Sequence, residues 1–184
     1  EVRQKKQTIL FDTDEHPRRG VTMESLAKLK PAFQKDGTVT AANSSGINDG
    51  AAAVVLMSED KAKELGLQPW MELVDFAAAG NSPKLMVYAI PKALKQAGFS
   101  SIKDMDVVEL NEAFASQSVA VIRALKMNPD KVNICGGAIA LGHPVGASGC
   151  ILPVKLMYDM KRTGAGLGIV TMCAGGGQGM SVLF

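Results

Sequence analysis

The chain has 184 residues, 47% hydrophobic, 21% charged and 5% aromatic, which suits a folded globular domain and excludes disorder or a disulfide-stapled miniature. Its net charge of +2 is too small for a nucleic-acid surface, which needs a clustered basic face; the excess sits in residues 1–35, with eight Lys or Arg against five Asp or Glu. Cys135, Cys150 and Cys173 are odd in number and lack CxxC spacing, so neither a disulfide framework nor a metal site is expected and a reducing compartment is the default.

In chain order, the sequence opens at Glu1 in polar residues with no initiator Met, which reads as a piece of something longer. Neither a secretory leader nor an apolar run of roughly 18 residues is visible, so no membrane partner is expected. Thr22 can cap a short helix whose apolar positions Met23, Leu26, Ala27 and Leu29 precede a stop at Pro31. Residues 32–50 read as irregular polar chain, with Asp36-Gly37 and Asn48-Asp49-Gly50 as turn signals. The continuous apolar run Ala51 to Met57 predicts a strand buried on both faces. Ser58 follows as a helix cap, with Glu59 and Asp60 in the first turn and Gly66 at the end.

Met71 to Ala79 predicts a strand, and Pro91 to Ala97 part of a helix closed by Gly98. Asp106 to Leu110 predicts a short strand running into Asn111-Glu112 and a helix in which Phe114, Val121 and Leu125 share a face. A further strand is expected to end near Cys135, followed by a glycine-rich loop, 136–149, and a helix from Ser148 to about Arg162 with Pro153 early in it. Two last strands, Leu167 to Met172 and Met180 to Phe184, flank the turn Cys173 to Gly179. Strands alternating with helices predict an α/β fold, a mainly parallel sheet with helices on its faces, and the terminal pair predicts an antiparallel edge.

Parallel sheets carry their working residues beyond the carboxyl ends of strands, and Asn111-Glu112, His143 and Cys173 all fall there. Taken singly, such an Asn is usually a turn residue, such a His a surface or satisfied one, and a buried Cys a small hydrophobe. Together an amide, an imidazole and a thiol suit carbon–carbon bond chemistry on a thioester: the thiol as base or nucleophile, the other two as hydrogen-bond donors to an oxygen that gains charge. Twelve of the 19 glycines lie between 136 and 179, and glycines around Cys173 can turn free N–H groups to the same point.

Three long motifs in order, Asn111-Glu112-Ala113-Phe114-Ala115, the stretch Gly136 to Gly149 (GGAIALGHPVGASG) and Cys173-Ala174-Gly175-Gly176-Gly177-Gln178-Gly179, closely resemble the thiolases. The CAGGGQG turn favours these over the related ketoacyl and hydroxymethylglutaryl synthases. The resemblance covers the whole chain but only the C-terminal half or slightly less of a thiolase. It implies a thiolase-fold half, a mixed, mainly parallel five-stranded sheet with helices on both faces (βαβαβαββ, residues 49–184), preceded by the end of a CoA-binding loop domain (1–48). It also implies a transferase acting by Claisen condensation of two acyl-CoA, or the reverse thiolytic cleavage, with CoA and acyl-CoA as substrates, no tightly bound cofactor, and a homo-oligomer, dimer or tetramer, when complete. The compartment expected is cytoplasmic, with the mitochondrial matrix also compatible.

By position, His143 is similar to the histidine that activates the nucleophilic cysteine and helps bind the thioester oxygen. Cys173 resembles the acid/base cysteine, Asn111 the residue holding an oxyanion-hole water, and Gly175 a glycine whose N–H lines the other oxyanion hole. Ser45 resembles the serine beside the pantetheine; Ala41, Met86, Ala113 and Phe114 resemble other lining residues. Arg18 and Ser25 match positions at the nucleotide end of coenzyme A, where an Arg can pair with phosphate or stack on adenine. Three departures accompany the match. The nucleophilic cysteine has no counterpart here; Cys150, near a helix N-terminus where thiols acidify, matches an ordinary helix residue. Cys135 stands where Asn is usual, and after Met86 the chain reads Val87-Tyr88-Ala89-Ile90-Pro91 in place of a Gly-x-Gly-Pro stretch. A second reading follows from the missing cysteine: a catalytically incomplete half serving as a CoA-binding or assembly module.

Overall fold

Two glycines in the left-handed region, Gly176 (φ 87°) and Gly177 (φ 86°), turn strand β5 (Gly168–Ala174) back onto β6 (Gln178–Leu183), placing Cys173 opposite Gly179. This hairpin is the centre of the sheet in the computed structural model, which describes residues 1–82 and 89–184. Strand β3 (Asp75–Gly80) pairs antiparallel with β6, and β4 (Val107–Leu110) pairs parallel with β5, giving the order β3-β6-β5-β4. A separate hairpin, β1 (Val2–Gln4) with β2 (Gln7–Ile9), lies at the N-terminus.

The period of two along each strand sorts side chains onto two faces. Val108, Leu110, Ile169 and Leu183 pack with Leu94 of helix α3 (Ala89–Gln96) and Val121 of α4 (Ala115–Leu125). Val107 and Val170 turn the other way, against Leu152 and Leu156 of α6 (Ser148–Thr163). Helices therefore cover both faces of a mixed sheet, as expected of an α/β thiolase-fold half. Gly168 admits α6 so closely that a Cβ there would lie 2.7 Å from Met160 Sδ and 2.9 Å from Leu156 Cδ1.

Expected caps are largely realised. Thr22 and Ser25 form a reciprocal capping box on α1 (Met23–Ala27), which ends four residues before Pro31. Ser58 accepts from Lys61 N at the start of α2 (Glu59–Glu64), and Gly66 and Gly98 take positive φ. Two expectations are corrected. The strand predicted at 51–57 does not form: the run has the composition of a strand buried on both faces but no neighbour among the described residues, and Val55 is 83% exposed. The sheet accordingly has four described strands, not five, and only one of its three pairings is parallel. In place of the strand near Cys135 stands a 3₁₀ turn, Pro129–Lys131, with a single bridge from Val132 to Val108; Asn133 at φ 50° breaks the extended run. Ser148 opens α6 as its first residue, as expected, and its hydroxyl bonds the His143 ring.

One charged contact crosses the β4–α6 interface. Glu109 is fully buried on the face otherwise lined by Val107 and accepts from Lys155 Nζ at 2.8 Å. Burial, opposed by Lys155 and reinforced by the neighbouring Asp159 carboxyl, raises Glu109 from 4.5 to about 7. The folded chain thus binds more protons than the unfolded one between those values, so stability falls as pH rises through that window and levels above it. Glu109→Gln should abolish that slope, of order 3 kcal/mol across the window; urea denaturation at pH values spanning it measures the difference, and an unchanged slope would assign the dependence elsewhere.

Candidate active site

The carboxyl end of β4 is extended by one residue: buried Asn111 donates its N–H to Thr171 O on β5 at 2.9 Å. On the other side of β4 a single side chain stands in for a strand. Asn133 accepts from Leu110 N and donates to Leu110 O, both at 2.8 Å, while its own N–H reaches Val108 O at 2.8 Å. Asparagine tolerates the left-handed conformation required here better than most residues. Its Nδ2 also donates to Glu112 Oε1 at 3.0 Å, and Glu112 Oε2 accepts from Ile139 N at 3.1 Å, at the start of α5 (Ala138–Leu141). Gly137 is where that carboxylate crosses the loop, and any Cβ would overlap it.

After α5, Gly142 (φ 95°) passes over the Asn48 amide, again leaving no room for a Cβ. The chain then delivers His143, whose N–H is shared between Gly46 O (3.0 Å) and Asn48 Oδ1 (3.3 Å). Its half-buried ring meets Ser148 Oγ through Nδ1 at 2.7 Å and Asn111 Nδ2 through Nε2 at 3.4 Å. Ser148 spends its only proton on Pro144 O at 3.1 Å, so Oγ must accept from Nδ1–H. Neutral His143 therefore carries its free lone pair on Nε2, turned to the Asn111 amide. Burial lowers the imidazole's pKa, which keeps that lone pair available at neutral pH.

Cys173 lies on β5 two residues beyond Thr171, the residue that anchors Asn111, and is half-buried; burial pushes its thiol up. Gly175 opens the turn that follows. Ser45 donates both N–H (3.1 Å) and hydroxyl (3.2 Å) to Ala113 O, and Ser44 bridges Phe114. Phe114 meets Phe33 edge-to-face at 5.9 Å between centroids. The structure thus brings Asn111, His143, Ser45, Ala113 and Phe114 into one connected set with Cys173 at the same end of the sheet. Ala41 sits in an exposed turn leading into that loop, whereas Arg18 and Ser25 are exposed well before it, the Ser25 hydroxyl being occupied by Thr22. Met86 lies outside the described residues. Sequence reasoning missed Ser148, Asn133 and Asn48 as positioning residues. The spacing of Ser148 five residues after His143 was a usable signal, but the distant Asn133 and Asn48 announced nothing. Cys150 is the third residue of α6.

The profile described as "Thiolase, C-terminal domain" matches residues 67–184, and "Thiolase, N-terminal domain" matches residues 1–60. The chain belongs to the thiolase family. Acetyl-CoA acetyltransferase from Pseudomonas aeruginosa is 54% identical over 176 residues, which is 94% of this chain and 44% of that protein; the enzyme of that name from Syntrophomonas wolfei is 50% identical over 99% of this chain and 47% of its own length. Among solved structures, Bacillus anthracis acetyl-CoA acetyltransferase superposes with TM-score 0.88 at 46% identity (99% of this chain, 47% of that one). Human mitochondrial 3-ketoacyl-CoA thiolase in complex with CoA gives 0.82 at 46% identity (92% and 44%). The chain thus spans less than half the length of these thiolases, and the N-terminal profile takes in the apolar run at 51–57.

Two substitutions probe the site's framework. Ser148→Ala should release the tautomer, moving part of the proton from Nδ1 to Nε2, which imidazole ¹⁵N shifts would register; a pure Nδ1–H form in the variant would refute the network. Asn133→Ala strips both backbone groups of buried Leu110 of their partners and should cost roughly 2–4 kcal/mol, read from the shift in denaturation midpoint.

Proposed function

We propose that this chain is the C-terminal part of a thiolase that transfers acyl groups between CoA thioesters, by Claisen condensation of two acyl-CoA or by thiolytic cleavage of a 3-ketoacyl-CoA. The observation that carries the reading is the neutral His143, with its Nε2 lone pair beside the Asn111 amide at the sheet end that also bears Cys173. An unprotonated imidazole nitrogen can take the proton of a nucleophilic thiol supplied by the remaining length of the protein, and as imidazolium it can then donate to the thioester oxygen. Asn111 Nδ2 offers a second donor at that place, directly or through a water.

Cys173 is given the complementary task. A thiol raised by burial holds its proton at rest, so in cleavage it can return a proton to the α-carbon of the departing acyl group, and in condensation its thiolate removes one. The Gly175–Gly177 turn, free of side chains, leaves backbone N–H groups for the second oxyanion. Ser45, Ala41, Ala113 and Phe114 flank the approach of the pantetheine, Arg18 and Ser25 the nucleotide end, with CoA thioesters as substrates and no tightly bound cofactor. Met86 is proposed from sequence alone. A reducing, cytoplasmic setting and a dimer or tetramer complete the reading.

Isolated activity is not part of it. The exposed run at Val54 to Met57, with exposed Phe76 and Met180 on the sheet, favours a chain that needs the rest of a thiolase against it; by itself it would serve at most as a CoA-binding or assembly module. The test is a chimera joining this chain to the N-terminal portion of the P. aeruginosa relative. It should thiolyse acetoacetyl-CoA, whereas the 184-residue chain should not. A folded chimera without activity would overturn the assignment. In the active chimera Cys173→Ser should depress condensation far more than acylation, roughly a hundredfold or beyond; equal loss of both steps would remove Cys173 from the role of base.

A further inference from the structure

Outside the reacting groups, the densest set of buried charges lies between α6 and the strand and loop that carry Asn111 and His143. Glu109 precedes Asn111 by two residues on β4 and is 0% exposed. Lys155 Nζ donates to its Oε2 at 2.8 Å and to Gly136 O at 2.5 Å. Gly136 is the first residue of the glycine loop and sits at φ 88°. One turn further along α6, Asp159 Oδ1 accepts from Cys135 Sγ at 2.9 Å and from Arg162 Nη2 at 3.1 Å. Residues 155, 159 and 162 thus form one stripe of the helix, and that stripe holds residues 135 and 136 on one side and β4 on the other.

We infer that Lys155, seated on the buried Glu109 carboxyl, is a positioning residue that fixes the root of the glycine loop against β4 and thereby sets His143 against Asn111. Replacing a buried ion pair by apolar side chains is commonly neutral or stabilising, so stability alone gives weak grounds for a lysine in this interface. Direction is what the ammonium supplies: three N–H vectors, one spent on β4 and one on the carbonyl from which the loop departs. Without it, Gly136 O loses that donor, and the loop is left with Glu112, the Gly136 N–H to Asn133 O and the His143–Asn111 contact as its ties to the end of β4. Glu109 Oε1 and Asp159 Oδ2 are both buried with no hydrogen-bond partner among the described residues; burial first and Asp159 in addition raise Glu109 while Lys155 opposes both, so the ammonium is the contact that offsets this buried carboxyl. The placement stands on this chain's own geometry; only its consequence for acyl transfer rests on the thiolase reading.

The test is hydrogen exchange in the 184-residue chain, comparing peptides over 134–143 with peptides over β4 and β5 as internal reference, together with the titration of His143. Lys155→Met should speed loop exchange roughly ten- to a hundredfold with the strands little changed, and move His143 up toward its ordinary 6.5 as the ring loses burial. Lys155→Arg should restore both. Loop exchange unchanged in Lys155→Met, or strands opening in step with the loop, would overturn the inference. Should Lys155→Met fail to fold, the double variant Glu109→Leu with Lys155→Met removes both charges and keeps the packing. It must show the same loop-specific acceleration, and parental rates would refute the role. None of these readouts requires turnover, so an inactive chimera would cancel the thiolase reading and leave this one standing.

Discussion

The carboxylate of Glu112 is the contact on which the rest of the site depends. It accepts from Asn133 on one oxygen and from the N-terminal amide of α5 on the other, and so joins the end of β4 to the loop that returns with His143. A carboxyl group that accepts one N–H on each oxygen fixes both partners in direction. The absent side chain at Gly137 is what lets the carboxylate reach across. Glycine and glutamate here form a lock and its clearance, and neither could be changed without the other losing its purpose.

Around this lock burial acts alike on the imidazole and the thiol. His143 is lowered and Cys173 raised by the same cause, removal from water, because burial disfavours whichever form is charged. An imidazole without its second proton and a thiol with its own are an acceptor and a donor standing ready. In the proposed acyl transfer, charge would develop only when a substrate oxygen or carbon takes part, where preorganised dipoles act most strongly. The hydroxyl of Ser148 contributes by orientation: with its proton committed to Pro144, it leaves Nδ1–H one place to point.

Much of this was legible from residues near one another in the chain. Thr22, Ser58, Gly66 and Gly98 punctuate helices by local hydrogen bonds and backbone sterics, and each does what its type predicts. The turn of glycines after Cys173 likewise encodes a hairpin. Failures came where the outcome depends on distant partners. An apolar run predicts burial but not by whom, and residues 51–57 have no strand partner among the described residues. Asn133 resembles any turn asparagine, yet its amide acts as the missing edge of β4, a role visible only once Leu110 is beside it. Ser148 opens its helix as the sequence suggests, but only the fold shows that a ring nitrogen claims its hydroxyl.

The bare stretch from Ala51 to Met57 has a consequence for handling the chain. Seven residues without charge, proline or glycine match the composition of segments that stack into cross-β arrays when left uncovered. Two copies meeting along this stretch could pair by backbone hydrogen bonds with no further recognition. Turbidity on storage would accordingly gauge whether this stretch is covered, and a charged residue at Val55, 83% exposed in this chain, would act as a gatekeeper against clumping.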